Sequence, residues 1–161
     1  MKFRKVVVGG TFDYLHNGHI AIISKAFEVG EHVSVGICSD EMQHLLMKDS
    51  VGIQPIAIRL WRLLNELHNR GLLGRTEINI ISDPFGTAVN DRGIDAIVVS
   101  PETRARAEEI NKVRATKGFN PLEIVEVPFV LAEDGNPISS IKIRYGETDL
   151  HGKKLNHSRI Q

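Results

Sequence analysis

The sequence predicts an α/β fold, a doubly wound sheet of about five parallel strands, and three observations lead there. Short apolar runs recur along the chain, segments with helical spacing separate them, and the runs are apolar on both faces, as strands covered by helices on two sides must be. Val6, Val7 and Val8 form the first run, and a helix follows Gly18. Residues 33–37 form the second. The stripe Ile56, Leu60, Leu63, Leu64, Leu67 predicts an amphipathic helix with its apolar face in the core and Arg59 snorkelling from it to water. Residues 78–81 and 94–99 give the third and fourth strands. Ser100-Pro101-Glu102 predicts a sharp helix start, with Ser100 as N-cap and Pro101 at the first helical position; Ala107, Ile110 and Val113 face inward and Gly118 closes the helix. Residues 122–127 supply the fifth strand, and right-handed crossovers make the set parallel.

The 161 residues suit one domain, assigned to 1–149, followed by a polar, basic tail at 150–161 that is either a frayed terminus or a partner-dependent helix. Lysine plus arginine and aspartate plus glutamate balance at 20 each, which argues against a non-specific nucleic-acid binder, so local charge has to carry any phosphate binding. No apolar stretch approaches the roughly 20 residues of a membrane span, and residues 1–5 lead straight into a strand instead of a signal-peptide core. The single cysteine, Cys38, excludes an intrachain disulfide and reads as a buried thiol in a reducing compartment, the cytoplasm. The sequence carries no signal for an oligomeric state.

In a doubly wound sheet, ligands bind at the carboxyl ends of the strands, where the first strand opens into Gly9-Gly10-Thr11-Phe12-Asp13-Tyr14-Leu15-His16-Asn17-Gly18-His19. Glycines let backbone approach a ligand, and free N–H groups at a helix start attract anions, so this stretch predicts a phosphate site. His16 and His19 stand three apart and present two imidazoles to one side. Thr11 reads as a ligand contact and Asp13 as a structural turn residue. Of the seven histidines only this pair is close in sequence, and no second cysteine is present, so metal ligation by the chain is not expected. The sequence has neither G-x-x-x-x-G-K-[ST] nor G-x-G-x-x-G, which argues against P-loop hydrolysis and ordinary dehydrogenase chemistry.

Gly10-Thr11-Phe12-Asp13 followed by His16-Asn17-Gly18-His19 resembles the GTFD and HxGH signature of the HxGH nucleotidyltransferase superfamily, whose fold is Rossmann-like. Residues 138–144, Ile-Ser-Ser-Ile-Lys-Ile-Arg, resemble the second element of that family, with Ile141 where a threonine is usual. The likeness is strongest to archaeal-type phosphopantetheine adenylyltransferases, on residues 99–103, 107–114 and the spacing to Ser139-Ser140. That resemblance implies ATP and 4′-phosphopantetheine as substrates and Mg2+ carried on the ATP phosphates. It implies that His19 and Lys48 are catalytic, His19 stabilising charge at the α-phosphate, and that ATP is bound by Gly10, Thr11, Phe12, His16, Gly18, His19, Ser139, Ser140 and Arg144. Thr11 and Lys48 would meet the acceptor, Lys48 being the only lysine or arginine between the second strand and the Leu60 helix. Adenylyl transfer to flavin mononucleotide, cytidylyl transfer to an alcohol phosphate and a non-catalytic nucleotide or coenzyme A sensor remain open beside it.

Overall fold

The computed structural model describes residues 2–46 and 52–155. Five strands, β1 (Phe3–Gly10), β2 (Gly30–Cys38), β3 (Thr76–Ile81), β4 (Ala96–Val99) and β5 (Glu123–Glu126), form one sheet in the order β3-β2-β1-β4-β5, every pair parallel. The chain moves outward from β1 through β2 to β3, then crosses back so that β4 pairs with the other side of β1. Val6 therefore has Val33 as its neighbour on one flank and Ala96 on the other. The reversal of winding beside β1 opens a crevice at its carboxyl end.

Side-chain alternation along the strands feeds two cores. Val6 and Val8 of β1, Val33, Val35 and Ile37 of β2 and Ala96 and Val98 of β4 pack against α1 (Asn17–Val29) and α3 (Ile56–Asn69) through Ile23, Phe27, Leu63 and Leu67. Val7, Ile97 and Val99 point the other way, onto α4 (Arg104–Thr116) through Ala107 and Ile110. Two short helices complete the set: α2 (Asp40–Leu46) follows β2, and α5 (Ser140–Arg144) meets the turn after β1. No helix among the described residues is long and apolar enough to cross a membrane.

Two local expectations are corrected. Ser100 is not the N-cap of α4: Thr103 N–H donates to its carbonyl at 3.1 Å, closing a β-turn with Pro101 in its second place, and the helix begins only at Arg104. Proline's fixed φ serves such a turn as well as it serves a first helical turn. Arg59 does not snorkel. It is fully buried, because it falls three residues after Ile56 and four before Leu63, on the stripe that faces the core.

Candidate active site

The carboxyl end of β1 runs through Gly10 and Thr11 into a tight turn in which Phe12 and Tyr14, both at φ 54, take the left-handed conformation, the only non-glycine residues among those described that do. Such backbone strain persists where surrounding contacts over-determine it. Here Phe12 is anchored by its ring, 3% exposed within the α1/α3 core. The Phe12 side chain is thus core, and what remains for a ligand is its backbone. Arg59 fixes the same turn from below. Its guanidinium donates to the carbonyls of Thr11 (2.9 Å), Cys38 (2.9 Å) and Gln54 (2.7 Å) and to Asp40 Oδ1 (2.9 Å), tying the ends of β1 and β2 to the start of α3. Sequence reasoning missed this residue, although its place on the apolar stripe was the available signal. The Thr11 hydroxyl hydrogen-bonds the Cys38 side chain, and burial holds that thiol above its ordinary pKa.

His16 is the N-cap of α1. Its Nδ1 accepts the N–H of Gly18 at 3.0 Å, while His19 Nδ1 accepts the N–H of His16 at 3.1 Å. A ring nitrogen that accepts a backbone N–H carries no proton, so each neutral imidazole holds its proton on Nε2. The rings stack with centroids 3.8 Å apart and planes 14° from parallel. Burial lowers His16 to about 4, and burial followed by repulsion from His16 lowers His19 to about 3. The pair is neutral near pH 7 and offers two parallel Nε2–H donors. Gly18 is dictated by this arrangement: a Cβ there would stand 2.8 Å from His16 Cε1 and 3.0 Å from Nδ1, breaking the cap.

The helix-start donors are largely taken, which corrects the expectation of free N–H groups. Gly18 N–H serves His16, and Asn17 N–H donates to the Leu150 carbonyl at 3.0 Å. The N–H groups of Asn17 and Gly18 are therefore already engaged within the protein.

The second motif is brought against the first by Asp13. Ser140 Oγ donates to the Asp13 carbonyl at 2.8 Å, Asp13 Oδ1 accepts the N–H of Gln54 at 3.1 Å, and Asp13 Oδ2 lies 3.8 Å from Arg144 Nη1. Asp13 is 2% exposed; burial raises its carboxyl pKa against the opposing pull of the Gln54 N–H and Arg144. Its structural role therefore reaches across the fold instead of closing its own turn. Asp13 Oδ2 and Arg144 Nη1 are both buried without a hydrogen-bond partner and stand 3.8 Å apart, an ion pair without a hydrogen bond. Ser139 is the N-cap of α5 through Lys142 N–H, and Lys142 is turned to Asp134 at 2.8 Å. Gly10, Thr11, Phe12, His16, Gly18, His19, Ser139, Ser140 and Arg144 are thus gathered at one end of β1, whereas Lys48 lies outside the described residues. On the α4 side of β1 a cavity of about 60 Å³, walled by Gly9, Gly36, Ile81, Val99 and Ala107, opens beside Arg106. Among the described residues no three His, Cys, Asp or Glu side chains converge as a metal site.

The family model for cytidylyltransferase-like proteins matches residues 7–146, which contain both motifs. The phosphopantetheine adenylyltransferase of Methanopyrus kandleri is 45% identical over 92% of this chain and 92% of its own. That of Methanosarcina acetivorans is 46% identical over 96% of this chain and 98% of its own. The chain belongs to the phosphopantetheine adenylyltransferase family. Among solved structures, an Archaeoglobus fulgidus protein described as of unknown function shares the architecture, with a TM-score of 0.68 and 27% identity over 94% of this chain and 99% of that one. The segment matched by the family model closes at Gly146, two residues beyond Arg144, so the histidine pair, Asp13 and α5 all fall inside it.

Proposed function

We propose that the protein transfers the adenylyl group of ATP to 4′-phosphopantetheine, giving dephospho-coenzyme A and pyrophosphate in coenzyme A biosynthesis. The stacked His16–His19 pair carries the chemistry of this reading, and the names of relatives at 45% and 46% identity carry its acceptor. The acceptor phosphate is already an anionic nucleophile at neutral pH, so the reaction asks for alignment and charge stabilisation more than for a base. One acceptor oxygen forms a bond to the α-phosphorus as the bond from that phosphorus to the bridging oxygen breaks, and pyrophosphate leaves with the electron pair. Neutral imidazoles suit this role. Their Nε2–H groups donate to the non-bridging oxygens of the α-phosphate as charge grows there, His19 foremost, with no proton to lose at working pH. Thr11 and the backbone at Gly10 and Phe12 border the same oxygens. Ser139, Ser140 and Arg144 flank the departing pyrophosphate, and a guanidinium can hold two of its oxygens together.

The site is a donor set of imidazole, hydroxyl, backbone N–H and guanidinium, and among the described residues its carboxylates are already engaged, Asp13 by Gln54 and Arg144 and Asp40 by Arg59. Such a set does not fit a protein-held metal. Magnesium enters as the counter-ion of ATP, bound through its phosphates. The buried Cys38 thiol suits a reducing cytoplasm. Lys48 is assigned to the acceptor phosphate on its place in the sequence alone.

The reverse reaction tests the reading. Dephospho-coenzyme A, pyrophosphate and magnesium should yield ATP and 4′-phosphopantetheine, and Lys48→Met should raise the KM for dephospho-coenzyme A while leaving that for pyrophosphate near its wild-type value. ATP formed from flavin adenine dinucleotide, and none from dephospho-coenzyme A, would reassign the acceptor.

A further inference from the structure

The family match closes at residue 146, yet the chain continues and folds back onto the histidine turn. Asp149 N–H donates to Lys153 O (2.9 Å), Leu155 N–H to Glu147 O (3.1 Å), and Thr148 and Lys154 pair as an antiparallel bridge. The Asp149 carboxylate accepts the N–H groups of His151 (2.9 Å) and Lys153 (2.8 Å), stiffening the turn from within. Glu133 N–H, donating to Gly152 O at 2.8 Å, fastens it to the loop before α5. Gly152 sits at φ 79, where a Cβ would stand 2.8 Å from Ala132 Cα, so the backbones meet only through glycine.

This docking has one product at the site. Leu150 O takes the Asn17 N–H at 3.0 Å, and His151 Nδ1 stands 3.3 Å from Asn17 Oδ1. Asn17 is the residue between the His16 cap and Gly18, and its backbone and side chain are both held by the returning chain. The first N–H groups of a helix have no partner within it, and an unheld first turn frays. Fraying here would tilt His16 away from His19 and part the two Nε2–H donors.

We infer that residues 147–155 are a strap that positions the His16–His19 pair, with His151 a positioning residue acting through Asn17. The strap builds on the adenylyl-transfer reading, but its own test does not need the acceptor. Binding of a non-hydrolysable ATP analogue to the full chain is measured by calorimetry, beside turnover with ATP and 4′-phosphopantetheine. His151→Ala, at an exposed position, should weaken the analogue by about three- to tenfold, the loss of one hydrogen bond's net worth, and lower kcat with little change in Tm. His151→Asn sets an amide near the place of Nδ1 and should restore binding to within about twofold, whereas His151→Gln, which imitates Nε2, should not. Asn17→Ala should match His151→Ala, and the double variant should be no worse than either single one, because both break one contact. Unchanged binding in His151→Ala, additive losses in the double variant, or rescue by Gln and not by Asn would overturn the strap; the last would make His151 a ligand contact. A wild-type protein that binds the analogue but releases no pyrophosphate with 4′-phosphopantetheine would fail the functional reading and leave the strap's binding test intact.

Discussion

Two fully buried arginines serve the two ends of the sheet, and they differ in what they hold. Arg114 on α4 donates to the carbonyls of Asn120 (2.8 Å), Ala88 (2.7 Å), Asp91 (2.9 Å) and Ile94 (3.3 Å), closing the loops that lead into β4 and β5. Arg59 on α3 uses the same device at the carboxyl end, but its carbonyls belong to Thr11, Cys38 and Gln54, and it adds the carboxylate of Asp40. In each case a guanidinium supplies several directed donors to backbone acceptors that would otherwise be buried unpaired. The amino end thereby gains stability alone. At the carboxyl end the same stitching fixes the strained turn on which the proposed site is built.

Removing the two arginines in turn separates their roles. Arg59→Met and Arg114→Met should each cost about 3–5 kcal/mol of stability, as an uncompensated buried polar site does. At a temperature where both remain folded, only Arg59→Met should lose turnover; equal losses would show that the two ends do not divide the work. His19→Ala sharpens the contrast from the other direction. It should lower kcat by roughly two to three powers of ten, the loss of one transition-state donor, with Tm nearly constant. Near wild-type turnover at saturating substrates would remove His19 from the chemistry.

Arg144→Ala should weaken ATP by roughly tenfold, on the scale of one charge-assisted contact. Asp13→Asn should reproduce part of that loss, since it keeps the acceptor for Gln54 N–H and removes the charge facing Arg144. Unchanged ATP affinity in both variants would place Arg144 outside the site. The smallest signal is spectroscopic. With folded pKa values of about 4 and about 3, His16 and His19 stay neutral while unfolded-chain histidines protonate near 6.5, so the unfolded state binds more protons below that pH. Their contribution is complete above pH 6.5 and is lost as pH falls towards 4 and then 3. Nitrogen-15 spectra of the free protein should show both rings as Nε2–H tautomers without titration between pH 5 and pH 8, and a midpoint near 6.5 for either ring would contradict the capping geometry.

The sheet was legible because its strands carry short apolar runs and the helix from Ile56 and the one through Ala107 have periodic stripes; α2, in a stretch read as a loop, was not. The histidine turn was legible because its residues are contiguous. What escaped were partners joined only by the fold: Gln54 N–H on Asp13, Thr11 O on Arg59, and Leu150 O on Asn17. Periodicity around Ile56 and Leu63 marks Arg59 as inward-facing, but no local pattern says which carbonyls await it. The start of α4 was misplaced because Ser-Pro-Glu satisfies turn and cap chemistry equally well until the bond from Thr103 N–H to Ser100 O is known.

Adenylyl transfer to 4′-phosphopantetheine at the paired imidazoles is read out by pyrophosphate release. The protein is incubated with ATP and magnesium against 4′-phosphopantetheine, flavin mononucleotide and glycerol 3-phosphate, with CTP replacing ATP in a parallel series. Release with ATP and 4′-phosphopantetheine alone, accompanied by dephospho-coenzyme A and abolished to within about a hundredth in His19→Ala, is the predicted result. Release with another acceptor in its place, or none with any pair while ATP still binds, would contradict it.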